Sequence, residues 1–542
     1  MRVCVIGAGA SGLPAIKECR AVGLDVIAYE RTSDVGGLWN YRPELAEGGT
    51  VMKSTVMNTS KEMTAYSDFP PPASFCNFMH HSKVLEYLKD YARVNDLYQY
   101  ICFNTTVQQV RIQIISEYAM LKLEKLGFYL QVSRIGNFWE VKTNNGDKKL
   151  FDYVMMCTGH HSFPQYPQIP GSEKFKGRIL HSHKYRDYQG FEEKDIFIVG
   201  IGNSALDIAA ELSGVAKSVT VSTRRGSWIF NRVSQGGIPN DLKMMTRLYD
   251  YLMDKLPWGV ANDFMEHRLQ LRLDHDLYGL RPNHRFLQQH PTINDDLPNL
   301  LCSGRIVITE DVELIREVTV QVKGGRQFPA DVIIFATGYT FGFPFLYPEF
   351  IIPLKDHEVE LYKYVFPLKY SSLAVIGLIQ PIGSILPISE MQCRWVAAVF
   401  NGQIKLPLHE EMLADIKLKQ AQIKKSANAP YVYRLEGPGS WDKAKETLIS
   451  LPERVKIPLK NRECRMKRYK RRGRIDEYFR YVSMKWLAGW TCVILVTGIW
   501  VFCSGSHNLT TLTYTTNVVI FLVFFSFILL WFDLQYDMST IF

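Results

Sequence analysis

Gly7-Ala8-Gly9-Ala10-Ser11-Gly12, close to the amino terminus, and Gly200-Ile201-Gly202-Asn203-Ser204-Ala205, well inside the chain, are two versions of one glycine-rich turn. Each comes after a short apolar run, residues 2–6 and 196–199, and each opens a helical pattern, the strand–turn–helix context in which such glycines carry meaning. Glycine at these places lets the backbone approach a pyrophosphate at a helix N-terminus, where unpaired N–H groups and the helix dipole favour an anion. Two dinucleotide sites in one chain are the expectation.

The residues beyond each turn separate the two. After the first, the next apolar run ends at Glu30, an acid placed to accept hydrogen bonds from adenosine ribose hydroxyls, so FAD or NAD fits. After the second, residues 218–222 lead into Thr223, Arg224 and Arg225 with no acid, so a ribose 2′-phosphate is neutralised rather than repelled and NADP(H) fits. The pairing points to a flavin enzyme fed by NADPH. A second echo supports the plan: Asp152 and Asp331 each precede an apolar strand ending in Thr-Gly, at Thr158-Gly159 and Thr337-Gly338. Each glycine turn thus owns a closing strand. The fold class expected is α/β, with two tandem Rossmann-like dinucleotide-binding domains: an FAD domain from residues 1–160 and 330–450, and a nested NADP domain at 161–329.

At 542 residues the chain can hold two or three domains with full cores, and an apolar share of 47% is ordinary for a globular enzyme. Ten cysteines include no Cys-x-x-Cys pair or metal-ligand spacing, which argues for free thiols in a reducing compartment and against a disulfide reductase. The first strand starts so early that no secretory signal is expected ahead of it, and the catalytic part is expected in the cytosol. His80-His81 and His160-His161 lack a spaced carboxylate or cysteine to complete a metal site, so no metal is expected.

The net charge of +9 is local: residues 460–474 hold nine Lys/Arg against Glu463. Ahead of an apolar tail, that cluster reads as a contact with membrane lipid rather than a nucleic-acid footprint, with a solvated basic linker as the alternative. Residues 486–503 and 512–532 carry no charge and approach or reach spanning length, with Trp486, Trp490, Trp500 and Trp531 near their ends. A basic linker at 451–485 and a hydrophobic helical membrane anchor at 486–542 are expected, the number of spans being open.

Phe175, Gly177, His181 and Tyr185 form a Phe-x-Gly-x-x-x-His-x-x-x-Tyr pattern that resembles the fingerprint of flavin-containing monooxygenases, and it stands just ahead of the second turn as in that family. Gly36-Gly37-Leu38-Trp39, the segment starting Asn58-Thr59-Ser60, the run from Gly202 to Asp207, and Phe335-Ala336-Thr337-Gly338-Tyr339 are similar to it too, and the likeness runs from residue 1 to about 450. The resemblance implies an FAD- and NADPH-dependent enzyme of the dimethylaniline monooxygenase type. NADPH reduces the flavin, oxygen is captured as a peroxyflavin, and one oxygen passes to an amine nitrogen or thioether sulfur of a small xenobiotic or metabolic substrate. The cofactor carries the hard chemistry, which accounts for the lack of a hydrolytic triad or metal cluster.

By the same resemblance Gly7 to Gly12 hold the FAD pyrophosphate, Glu30 the ribose, and Gly37, Leu38 and Trp39 the flavin side. Asn58, with Thr59 next to it, stands between flavin and nicotinamide as the catalytic candidate, since its amide both donates and accepts; a plain turn-forming Asn is the alternative. Gly200, Gly202, Asn203, Ser204, Ala205, Leu206 and Asp207 serve NADP, Asp207 being equally readable as a first-turn helix acid. Arg224 with Thr223 takes the 2′-phosphate unless Arg224 is only a surface charge. His181 reads as a hydrogen-bonding hinge rather than a proton carrier. An endoplasmic reticulum membrane is implied by the resemblance alone, and homo-oligomerisation is open.

The family pattern breaks twice. Residues 112–131 read as a helix-like insertion within a strand meander, and the chain is shorter by a few dozen residues around 424–433. Rival readings are a Baeyer–Villiger monooxygenase, whose fingerprint ends in Trp-Pro where Tyr185-Arg186 stand here, and a catalytically silent membrane-bound flavoprotein.

Overall fold

The computed structural model describes residues 1–426, apart from 45–47, 116–135, 247–248, 250–252, 254, 356–357, 380 and 382. Its centre is two five-stranded parallel sheets of the same design. The first runs Leu373–Val375, Tyr153–Met156, Arg2–Ile6, Asp25–Tyr29, Ile101–Cys102; the second runs Arg178–His181, Val332–Phe335, Asp195–Val199, Ser218–Ser222, Val307–Thr309. Near-continuous apolar runs suit strands buried on both faces. Val3 and Val5 enter one core with the helices Gly12–Ala21 and Ile385–Phe400, while Cys4 and Ile6 enter another with the antiparallel strands Val107–Ile115 and Gly136–Thr143. The second sheet repeats this division: Ile196 and Ile198 pack on the helix Asn203–Leu212, and Phe197 and Val199 on a three-stranded antiparallel sheet through Ile315, Val320 and Val322.

The aspartates that precede the closing strands do one job twice. Asp152 Oδ2 accepts from the Arg2 backbone N–H at 2.6 Å, and Asp331 Oδ2 accepts from that of Asp195 at 2.8 Å, so each pins the start of the central strand to its neighbour. The closing strands also back the glycine turns. A Cβ on Gly7 would lie 2.6 Å from the Cys157 carbonyl oxygen, and one on Gly200 would lie 2.5 Å from that of Ala336, both at left-handed φ of +100° and +121°. Only glycine satisfies both demands.

Two expectations need correction. Residues 112–115 are not helical: they complete the strand Val107–Ile115, with Ile112 opposite Trp139 and Ile114 opposite Asn137. A β-branched run with a partner strand takes the extended form; residues 116–131 of the expected insertion lie outside the described residues. The second sheet also extends past 329, because Val332–Phe335 pairs with Asp195–Val199. The shortened stretch around 424–433, the basic linker and the hydrophobic tail fall almost wholly beyond the described residues, among which no helix is long and apolar enough to cross a membrane.

Candidate active site

A cavity of about 1060 Å³, at the large end for a small-molecule site, opens at the C-terminal ends of the first sheet's strands. Gly7, Gly9, Ala10, Ser11, Glu30, Gly37, Leu38, Trp39, Asn58 and Thr59 line it, so ten of the residues expected on the flavin side converge. Ala8 and Gly12 sit behind the wall: Ala8 is fully buried, and a Cβ on Gly12 would fall 1.9 Å from the Gly7 carbonyl oxygen. Their service is to the shape of the turn. From the second turn Asn203 reaches the same cavity, with its Oδ1 accepting from the Ile293 N–H at 2.8 Å.

Glu30 is 5% exposed and holds the first turn in place, accepting from the Ala8 N–H on Oε2 (2.8 Å) and from both the N–H and hydroxyl of Thr32 on Oε1 (2.9 and 2.8 Å). With two acceptor sites on each carboxylate oxygen, Oε2 retains one for a ribose hydroxyl. The cradle fits a dinucleotide: backbone at close approach, an acid within the wall, and two helix N-termini aimed at it. The second of these belongs to Ile385–Phe400, capped by the Ser384 hydroxyl, which accepts from the Leu386 N–H at 3.3 Å. Gly377, Gly383, Ser384 and Ile385 all line the cavity, and no sequence motif singled them out. The glycine and proline cluster around 377–387 was the available signal.

The second turn is shaped differently. A Cβ on Gly202 would meet nothing within 4 Å, which leaves room for a phosphate against the backbone at the start of the Asn203–Leu212 helix. Thr223, Arg224 and Arg225 lie just past the end of the neighbouring strand as expected, the Thr223 hydroxyl accepting from the Gly226 N–H at 3.0 Å. Gly200, Ser204, Thr223 and Arg224 do not line the described cavity. Ala205 and Leu206 are 0% and 1% exposed and pack in the second core. Asp207 belongs to a polar cluster instead, 3.8 Å from Arg232 and 3.5 Å from the Asn294 amide, and burial raises its pKa to about 6 despite the opposing pull of Arg232.

Asn58 Oδ1 accepts from Arg232 Nη2 at 2.7 Å and Nε at 3.1 Å, a partner that no sequence motif announced. The Thr59 hydroxyl is shared with that of Thr64 at 2.8 Å. Around the two chain crossings between the sheets, His161, His181 and His183 surround Tyr339 with ring centroids 5.1, 5.4 and 5.8 Å away, and the His160 ring lies tilted against that of His161 at 4.2 Å. Burial brings His181 down to about 4, while His160 is half-buried and His161 exposed on the cavity wall. A neutral imidazole at physiological pH suits the hinge reading of His181, whose Nδ1 accepts from the His183 N–H at 3.0 Å. Among the described residues no three His, Cys, Asp or Glu side chains converge as a metal site.

Residues 1–429 match the family described as flavin-binding monooxygenase-like. Over 517 aligned positions the chain is 39% identical to flavin-containing monooxygenase 5 of Homo sapiens and to dimethylaniline monooxygenase [N-oxide-forming] 2 of Oryctolagus cuniculus, covering 85% of this chain and 93% of each relative. Among solved structures, S-allyl-L-cysteine S-oxygenase from Allium sativum aligns with a TM-score of 0.60 at 23% identity, over 86% of this chain and 93% of that one. The open form of cyclohexanone monooxygenase aligns at 0.58 and 16%, over 83% and 97%. These likenesses support the same α/β fold.

Proposed function

The chain belongs to the flavin-binding monooxygenase-like family, and from that premise we propose that it uses FAD, NADPH and O2 to oxygenate soft nitrogen or sulfur atoms of small substrates, in line with the name of its N-oxide-forming relative. The balance is one O2 and one NADPH with a proton, giving oxygenated substrate, NADP+ and water. A bound flavin supplies hydride acceptance and oxygen activation; the chain's part is to bind, orient and exclude water.

Gly7 and Gly9 bring backbone to the flavin nucleotide's pyrophosphate, and Oε2 of Glu30 takes one ribose hydroxyl. Leu38 and Trp39 form an apolar wall that keeps water from the reacting end. Gly202 and the helix behind it receive the second nucleotide's pyrophosphate, with Thr223 and Arg224 at its 2′-phosphate. Asn58 presents its amide N–H2 to the cavity between the two. The observation that carries this reading is the convergence of the first turn, Asn58 and Asn203 of the second turn on one cavity. The hydrophobic stretch 486–542 and the basic stretch ahead of it support membrane anchorage with the catalytic part facing the cytosol, in the endoplasmic reticulum by family likeness.

The test is anaerobic addition of NADPH to the detergent-solubilised protein, then rapid mixing with oxygen while flavin absorbance is recorded. Bleaching by NADPH, and reoxidation that yields oxygenated dimethylaniline with little hydrogen peroxide, is the expected result. Peroxide in place of product would mean an uncoupled oxidase, and flavin that NADPH cannot bleach would sink the enzyme reading. A ketone offered in parallel that returned an ester would favour the Baeyer–Villiger alternative.

A further inference from the structure

The loop at residues 231–241 leaves the second nucleotide fold and touches the Asn58–Thr59–Ser60 turn of the first at two places. Arg232 donates to Asn58 Oδ1 from both Nη2 and Nε, and Asp241 Oδ2 accepts from the Ser60 backbone N–H at 2.6 Å. The loop is closed on itself: the Asn240 N–H donates to the Arg232 carbonyl and the Ser234 N–H to the Ile238 carbonyl, both at 2.8 Å, and Asn240 Nδ2 donates to the Asn231 carbonyl at 3.0 Å. Arg232 therefore arrives on a braced hairpin.

Its guanidinium is braced as well. Nη1 donates to Asp295 Oδ2 at 3.3 Å, Asp207 Oδ1 lies 3.8 Å from Nη2, and 13% of the side chain is exposed. Asp295 also accepts from the Arg232 backbone N–H at 3.1 Å. Asp207 stands in the helix that the second glycine turn opens, and Asp295 lies two residues beyond Ile293, whose N–H the turn's Asn203 accepts. One arginine thus joins the second nucleotide turn to the carboxamide that lines the first nucleotide's cavity.

A carboxamide rotated by half a turn exchanges its donor and acceptor ends. Two charge-assisted N–H groups on the oxygen remove that freedom, and Asn58 Nδ2 makes no hydrogen bond to any described residue. The donor end is left to the cavity.

We propose that Arg232 is a positioning residue for the oxygenation: it locks the Asn58 carboxamide with its N–H2 group toward the cavity and ties that orientation to the second glycine turn through Asp207 and Asp295. The inference rests on reading the cavity as the flavin site. Lysine cannot replace the arrangement, because an ammonium is a point donor without the planar fork.

The test uses the full-length flavin-loaded protein and compares wild type with Arg232→Lys, Arg232→Ala, Asn58→Ala and the double variant. Two quantities are read: the change in the visible flavin spectrum when NADP+ is titrated into the oxidised protein, and the rate of anaerobic flavin reduction by NADPH. Arg232→Ala is expected to retain flavin at wild-type stoichiometry, lose the NADP+-induced spectral change and reduce roughly tenfold more slowly, the weight of one charge-assisted hydrogen bond. Arg232→Lys should fall between. On the Asn58→Ala background the arginine substitution should add less than about twofold, since a residue acting through another is non-additive with it. Reduction within about twofold of wild type with the spectral change intact, or losses that multiply in the double variant, would overturn the proposal. So would loss of flavin from both arginine variants, which would make Arg232 a folding residue. A wild type whose flavin NADPH neither perturbs nor reduces would instead overturn the reading of the cavity, and this inference with it.

Discussion

The two nucleotide folds share strand order, a pinning aspartate and a carbonyl that backs the leading glycine, yet their turns face different surroundings. Gly9 of the first turn is covered by Gly37, whose Cα would lie 3.4 Å from an added Cβ, whereas Gly202 of the second has open space in the same direction. Gly12 is forced to be glycine by the Gly7 carbonyl, while Ala205 holds the equivalent place in the second fold. A turn covered by a second glycine segment suits a nucleotide that stays through many cycles; a turn without such a cover suits one that must enter and leave in each. The difference extends to edge strands. In the first sheet the outer strand beside the closing strand, Leu373–Val375, comes late in the chain, and in the second, Arg178–His181 comes before everything else in its sheet. That permutation places both chain crossings, near 158–164 and 336–341, side by side, where Tyr339 pairs with Pro164.

The comparison breaks most sharply at the glycines themselves. Gly7→Ala adds a Cβ 2.6 Å from a backbone carbonyl at a φ of +100°. Left-handed strain alone costs about 1–2 kcal/mol, and the clash adds to it, so the variant is expected to purify without flavin and to melt well below wild type. Gly202→Ala meets no atom within 4 Å. It should keep its flavin and melt within a few degrees of wild type, while the added methyl crowds the pyrophosphate and raises the KM for NADPH about tenfold. Flavin absorbance per protein, a thermal melt and a KM for each variant decide the matter; equal flavin loss in both would erase the distinction between a resident and a visiting nucleotide.

Arg224→Ala probes the second fold's other distinguishing feature. Removing a guanidinium from a phosphate costs about 1.5–3 kcal/mol, so kcat/KM with NADPH should fall roughly ten- to a hundredfold while that with NADH changes by less than about twofold. An equal loss with both dinucleotides would move Arg224 away from the 2′-phosphate.

Much of this was legible because it is local. The glycine turns, Glu30, the Thr-Gly strand ends and the apolar runs are written within a few residues of where they act, and Asp152 and Asp331 show their equivalence as repeats do. What escaped was distant in sequence. Asn58 and Arg232 are 174 positions apart, and nothing near either announces the other. Ser384 and Gly383 come from the returning arm of the first fold, and their glycine and proline spacing reads as an ordinary turn until the helix is seen aimed at the cavity. The helical reading of 112–131 failed over 112–115, where the partner strand Gly136–Thr143 supplies pairing that local propensity does not register.

The smallest effect expected separates the two turns by pH. Pro14 and Asp207 hold equivalent places after their glycine turns, so an ionisable side chain stands there in the second fold alone. Burial lifts Asp207 from 3.8 to about 6, the Arg232 attraction offsetting only part of it. A carboxyl raised in the folded state keeps a proton that the unfolded chain has released, so between about pH 4 and 6 stability falls as pH rises, and above that window the cost stays constant. Two pKa units correspond to about 3 kcal/mol at most, and the 24% of the side chain that stays open lowers that figure. Asp207→Asn cannot titrate. Its stability relative to wild type should therefore climb from pH 4 to 6 and then level off, a shift of a few degrees in the flavin-loaded protein's melt. The buried histidines, which push in the opposite direction over the same range by losing their proton on folding, are common to both proteins and cancel in the difference. Melting curves that run parallel across the window would show that Arg232 neutralises Asp207 fully, and the acid would then be a fixed counter-charge for the arginine rather than a titrating group at the second turn.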